Sequence, residues 1–175
     1  DMYNTAVGYD AGQAVTTGSE NTLIGGLSGD AITTGASNVA LGVSSLGANT
    51  VGSKTVAIGN QALTAQNYGT ATDSLNTAVG FQAGLSVTTG IRNTIVGGNA
   101  GDALTDADKN TVVGQGALSA DTLGSLSTAL GYDALNVQNF TTATNTYNTA
   151  VGAFAGASVT TGISNTFIGG VAGDL

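Results

Sequence analysis

Residues 76–97 read NTAVGFQAGLSVTTGIRNTIVG, and the phrase that opens this stretch at Asn76, Asn-Thr followed by two apolar residues and Gly, opens again seventeen residues later at Asn93. With the glycine as anchor, copies sit at Gly8, Gly25, Gly42, Gly59, Gly80, Gly97, Gly114, Gly131, Gly152 and Gly169, at spacings of 17, 17, 17, 21, 17, 17, 17, 21 and 17 residues. Four units sum to 72 residues, and Asn4, Asn76 and Asn148 stand 72 apart. Self-similarity at a fixed period marks an architecture in which each unit buries its apolar side against its neighbours. The chain is therefore expected to be one continuous array over residues 1–175, with super-repeats 4–75 and 76–147 and a partial third, 148–175. Asp1-Met2-Tyr3 aligns with Asp73-Ser74-Leu75 and Asn145-Thr146-Tyr147, which predicts that these residues are a window on a longer fibre.

The first position of a unit is Asn except at Thr55 and Ser127, and the third is apolar throughout. The fourth is always Val, Ile or Leu: Val7, Ile24, Leu41, Ile58, Val79, Val96, Val113, Leu130, Val151 and Ile168. Adjacent residues of a strand point to opposite faces, so a strand apolar at both positions is expected to be buried on both sides. This assigns the fourth column to the structural core and the anchor glycines to the turns that follow. A helix fits poorly, because Gly and Thr recur throughout and no apolar spacing of three, four and seven is sustained. The expected fold is all-β, a parallel β-solenoid, or β-roll, of ten stacked coils of 17 or 21 residues.

Smaller signals fill in the coil. The eighth position is Ala or Ser in every copy, allowing close backbone approach. The ninth is Gly in the first two coils of each super-repeat and Leu in the next two, so the core is expected to alternate in width. Thr-Thr-Gly at 16–18, 33–35, 88–90 and 160–162 reads as a turn whose glycine takes positive φ. Stacked at about 4.8 Å per coil, ten coils make a rod of roughly 48 Å, with the Asn side chains forming an amide ladder along it.

Composition removes several function classes. Charged residues are 8% of the chain, and His, Cys, Pro and Trp are absent. Without imidazole or thiol, and without a glycine loop followed by Lys and a hydroxyl, no catalytic constellation forms, and the expectation is a protein that is not an enzyme and needs no cofactor. A net charge of −8 with only Lys54, Arg92 and Lys109 as cations argues against nucleic acid. No apolar run reaches the length of a membrane span, so no membrane insertion is expected of this segment. Asp102, Asp106 and Asp108 cluster, but the cluster is not iterated in other coils as calcium-binding repeats require, so it reads as a solvated acidic edge and no metal is assigned.

The phrases NTAVG, NTLIG, TVAIG and NTVVG resemble the head repeats of YadA-like trimeric autotransporter adhesins, and similar NTAVGY repeats occur in phage tail fibres. The resemblance runs through all ten coils. It implies a parallel β-roll, usually with three chains about one axis, placed extracellularly on a cell surface or a virion fibre. The doubly apolar strand independently suggests association, a homotrimer or a homopolymeric filament, with a single-chain solenoid as the alternative.

The function expected on these grounds is a structural or adhesive extracellular fibre segment, with self as partner and surface glycans or host receptors as further ones. The alternative is a spacer in a phage tail fibre or receptor-binding fibre, and an ice- or surface-binding solenoid ranks last, because several coils lack the Thr-Thr pair. The 21-residue coils place Tyr68 and Phe140 in polar expansions, where an aromatic suits ligand contact, or else tucks over an apolar edge. Asn139-Phe140-Thr141 is an N-glycosylation sequon, making Asn139 a candidate glycan attachment point.

Overall fold

The computed structural model describes residues 2–174; Asp1 and Leu175 lie outside the described residues. It is a parallel β-solenoid of ten stacked coils, all β, with no helix among the described residues and hence none long and apolar enough to cross a membrane. The strands are β1 (Thr5–Val7), β2 (Thr22–Ile24), β3 (Val39–Leu41), β4 (Gly52–Ser53), β5 (Val56–Ile58), β6 (Thr72–Asp73) and β7 (Thr77–Val79). They continue as β8 (Thr94–Val96), β9 (Thr111–Val113), β10 (Gly124–Ser125), β11 (Thr128–Leu130), β12 (Thr144–Asn145), β13 (Thr149–Val151) and β14 (Thr166–Ile168). One three-residue strand per coil builds a ten-stranded sheet in the order β1-β2-β3-β5-β7-β8-β9-β11-β13-β14.

That sheet keeps its register through the long coils. Thr22 pairs with Val39, Val39 with Val56, and Val56 with Thr77 across the 21-residue coil. The extra four residues go to a different wall, where β4 pairs with β6 and β10 with β12 in two separate two-stranded sheets. Tyr3, Leu75 and Tyr147 share a left-handed backbone at φ 43, 53 and 53°.

The interior is lined by the third column, where Leu23, Ala40, Ala57, Ala78, Ile95, Val112, Ala129 and Ala150 are fully buried. The fourth column, expected as the core, is instead on the outer face. Val7, Ile24, Leu41, Ile58, Val79, Val96, Val113, Leu130, Val151 and Ile168 are half-buried or exposed, Leu41 by 43%. The reason is strand alternation: once the third residue points toward the buried eighth and ninth columns, the fourth must point out. A single chain thus buries one face of this doubly apolar strand.

Neighbouring coils share the volume that the ninth column leaves open. Where the ninth residue is Leu (Leu46, Leu63, Leu118, Leu135) it is fully buried. Where it is Gly, side chains lean over it from above and below: a β-carbon on Gly84 would lie 2.9 Å from Leu63 Cδ2 and 3.0 Å from Ile95 Cδ1. Packing without voids is what makes this complementarity stabilising.

The anchor glycines are required where they stand. At Gly80, φ is +143° and a β-carbon would sit 2.4 Å from the carbonyl oxygen of Gly97 in the next coil. The turn glycines Gly18, Gly35, Gly90 and Gly162 differ from expectation, since none has positive φ. At Gly18 a β-carbon would approach Gly35 O to 2.4 Å, so crowding by the next coil, rather than a left-handed backbone, selects glycine there. Gly80→Val is expected to cost more than about 3 kcal/mol in denaturant unfolding, while Thr89→Ser, which keeps the hydroxyl bonded to Asp106 (2.6 Å), should stay within about 0.5 kcal/mol of the parent.

Candidate functional surfaces

Three features of the rod carry chemistry: a buried amide spine, the wall of expansions, and the outer face of the long sheet. The spine follows the first column. Asn21 donates from its backbone N–H and from Nδ2 to Asn4 Oδ1 (2.9 and 3.1 Å), and Asn38 does the same to Asn21 Oδ1 (3.0 and 3.0 Å). Each of these amides also closes its own coil, Asn21 Nδ2 donating to Gly35 O and Asn38 Nδ2 to Gly52 O (3.0 Å each). The expected amide ladder is thus present, and it lies inside the coil, with Asn21, Asn38, Asn76, Asn93, Asn110 and Asn148 buried.

Two rungs lack Asn, and the sequence reading missed how they are repaired. At Thr55, Gln66 reaches in from the twelfth position of the same coil: its Nε2 donates to Thr55 Oγ1 (3.0 Å) and its Oε1 accepts from Asn76 Nδ2 (2.9 Å). At Ser127, Gln138 repeats the bridge, with Nε2 to Ser127 Oγ (2.9 Å) and Oε1 accepting from Asn148 Nδ2 (2.7 Å). Both Gln side chains are fully buried, and a buried polar group without such partners costs one to several kcal/mol. The signal was in the repeats: the twelfth residue becomes Gln only where the first loses its Asn. Buried Asp121 joins this network, its Oδ2 accepting from Gln138 Nε2 (2.6 Å) and its Oδ1 from the N–H groups of Gly124 (3.1 Å) and Phe140 (2.9 Å).

The expansions do not offer their aromatics to solvent. Tyr68 and Phe140 are only 6% and 7% exposed, folded over the coil edge, which is the tucked alternative rather than a ligand-contact loop. Tyr68 OH donates to Gly90 O (2.9 Å), and burial pushes its phenol up to about 12. Asn139 is exposed; its Oδ1 accepts from Thr122 Oγ1 (3.2 Å), and it stands in a column of hydroxyls that includes Thr50 and Thr105.

The clustered carboxylates serve separate contacts, coil to coil for Asp106 and Asp108 and within its own coil for Asp102. Asp106 Oδ1 accepts from Thr89 Oγ1 (2.6 Å), and Asp108 Oδ1 from the Ile91 N–H (2.8 Å). Asp102 is shifted up by burial, with Oδ2 accepting from Asn99 Nδ2 (3.4 Å). Asp106 is exposed and Asp102 and Asp108 half-buried. No group of three or more potential metal ligands comes together among the described residues.

The outer face is formed by the second, fourth and sixth columns of the ten coils. Its second column is Thr in eight coils and Val39 and Val56 in the others, its fourth is the aliphatic series above, and its sixth contains Tyr9, Val43, Phe81 and Tyr132, all exposed. Tyr132 also meets Phe154 edge to face at 5.1 Å. No charged residue occupies these three columns in any coil. Comparison with protein-family models, with curated proteins and with solved structures returns no match.

Two measurements test the spine and the tucked loop. Asn93→Ala removes the acceptor for the Asn110 N–H (2.9 Å) and the donor to Ala107 O (2.8 Å), and should lower unfolding free energy by about 2–4 kcal/mol. Because the folded-state pKa of Tyr68 lies above its unfolded value of 10.0, its contribution is present in full below pH 10 and is lost as pH rises toward 12. Stability should fall across that window by about 1.4 kcal/mol per pH unit through this group, and Tyr68→Phe should remove that share of the decline in denaturation midpoints taken from pH 9 to 12.

Proposed function

We propose that this chain is a stretch of a non-enzymatic structural fibre, with adhesive capacity, that works outside the cell on a cell surface or virion by presenting a stiff β-rod and associating side by side with further copies of itself. The observation that carries the reading is the outer face of the ten-stranded sheet. The coil interior is already filled by the third, eighth and ninth columns, yet a second apolar column runs uncharged along the whole rod. Apolar surface that is continuous over such a length marks an interaction site rather than ordinary surface. A chain of net charge −8 that keeps every charge off this one face is consistent with burial of the face against another surface.

The chemistry of the rest of the rod supports a mechanical role. The hydroxyl and amide groups that a catalyst would use are consumed in holding one coil to the next, as with Thr16 Oγ1 to Thr33 O (3.1 Å) and Asn93 Nδ2 to Asn76 Oδ1 (3.3 Å). The resemblance of the repeat phrase to adhesin-head and tail-fibre repeats points the same way. A homotrimer and a homopolymeric filament both meet the requirement that the outer face be covered, and surface glycans or host receptors are the external ligands such a fibre would meet on its remaining walls.

The test is the native mass of the purified chain together with negative-stain images. Particles heavier than the 16.9 kDa chain, rod-shaped and containing several copies, are expected; a monomer at all concentrations up to about 100 µM overturns the reading. Val79→Asp, on the outer face, should leave the circular dichroism of the folded coil unchanged and abolish association. Ile95→Asp, in the interior, should unfold the chain, because an unpaired charge there costs several kcal/mol.

A further inference from the structure

Gly26 and Gly98, 72 residues apart in the sixth column, have no role in the single chain. A β-carbon on Gly26 would come no nearer than 3.9 Å to any heavy atom, Tyr9 O, and one on Gly98 no nearer than 3.9 Å, to Gln115 Cγ. Neither backbone is left-handed. This is the opposite of the anchor glycines, each of which in coils one to nine has the next coil within 2.6 Å of the position a β-carbon would take. Glycine costs conformational entropy, and where the fold does not demand it, close approach by another molecule is the remaining physical use.

The approach has a partner of the right shape in the same column. One coil before each of these glycines stands a protruding aromatic, Tyr9 at 77% and Phe81 at 54% exposure. The outer face therefore carries a knob beside a notch, repeated every 72 residues, or about 19 Å at the usual strand spacing.

We propose that the outer sheet face is covered by the same face of a second copy turned end for end, with Phe81 of each copy seated over Gly98 of the other. The proposal rests on the self-association reading above and gives that association the form of a closed pair in place of a trimer or filament. A two-fold axis along the strand direction, passing between β7 and β8, keeps every column facing itself and opposes the first coil to the tenth, the second to the ninth, and so on. The sixth column then pairs Phe81 with Gly98 and Tyr9 with Gly170, so two of its three exposed aromatics meet glycines, while Tyr132 meets Val43 and Gly26 meets Ala153. Copies running in the same direction would oppose coils of equal number with the columns reversed, setting Phe81 against Thr77 and Gly98 against Thr94, so that no notch receives an aromatic.

Such an interface is isologous and closes on itself. Ten strands at about 4.8 Å by four residues at about 3.3 Å give a flat patch of roughly 600 Å² per copy before side-chain relief is added, close to the ~800 Å² per partner of a stable complex. The three columns that meet carry no charge, so two chains of net charge −8 approach without opposing carboxylates at the centre. Lys54 and Lys109 face one another only at the rim, where Asp73 already engages Lys54 (2.5 Å).

The chain has no cysteine, so introduced thiols report geometry directly. Thr22→Cys and Thr149→Cys lie in the second column of the second and ninth coils, opposite each other in the proposed pair. Each variant alone should give no disulfide-linked dimer under mild oxidation, since like residues are then seven coils, about 34 Å, apart, whereas the mixture should give one on a non-reducing gel. Gly98→Leu should keep the monomer fold by circular dichroism, because the space is open, and weaken association at least tenfold in sedimentation. Self-cross-linking of Thr22→Cys, association without a cross-link in the mixture, or unchanged affinity of Gly98→Leu overturns the proposed pairing while leaving self-association standing. A parent chain that never associates overturns both.

Discussion

Every coil of this protein depends on its neighbours for hydrogen bonds. Thr22 donates its N–H forward to Asn38 O, Gly25 donates back to Val7 O, and little of the backbone is satisfied within one coil beyond tight turns such as Val15 N–H to Gly12 O. A unit of seventeen residues is also too small to bury a core alone, and the side chains that fill it, such as Leu63 and Ile95 over Gly84, belong to the coils on either side. Stability is therefore a property of the stack, and it grows with each coil added. The amide spine extends the same logic into the interior, since an Asn side chain there is saturated only when coils above and below are both in place.

This dependence explains how the chain tolerates an otherwise costly backbone. Twenty-three residues other than glycine have positive φ among the described residues, recurring at the seventh and last positions of the coils and at the ninth where it is Leu. An L-residue in that region costs about 1–2 kcal/mol. The conformation persists because N–H groups at these corners bond to an adjacent coil, the preceding one for Leu27 to Tyr9 O and Ser37 to Ser19 O (2.8 and 2.9 Å) and the following one for Leu46 to Ala62 O (3.0 Å). With side chains retained at these corners, the rod gains exposed columns that link laterally, for example Ser37 Oγ to Glu20 Oε2 (3.0 Å).

The architecture was legible in the sequence because periodicity is a long-range signal carried by ten copies. The anchor glycines, the ladder of Asn residues and the single small residue at the eighth position all follow from spacing alone. Direction was not legible: the third and fourth columns are both apolar, and nothing local says which points inward until the eighth and ninth columns close the other side of the coil. The turn glycines were misread for a related reason, because crowding from the next coil and a left-handed backbone select the same residue. The aromatics of the expansions could be read either as contacts or as a lid, and the hydrogen bond from Tyr68 to Gly90 favours the lid. The repair of the ladder by Gln66 and Gln138 was visible only as a correlation between the first and twelfth positions.

The separate wall that absorbs the four extra residues has a consequence for how such a chain can vary. Because β3, β5 and β7 stay in register while β4 and β6 take up the slack, coil length and sheet lattice are uncoupled. The rod is thus a ruler with a rewritable back: segments can be lengthened or exchanged along one side, at intervals of four coils, while the graduations on the other side keep their places.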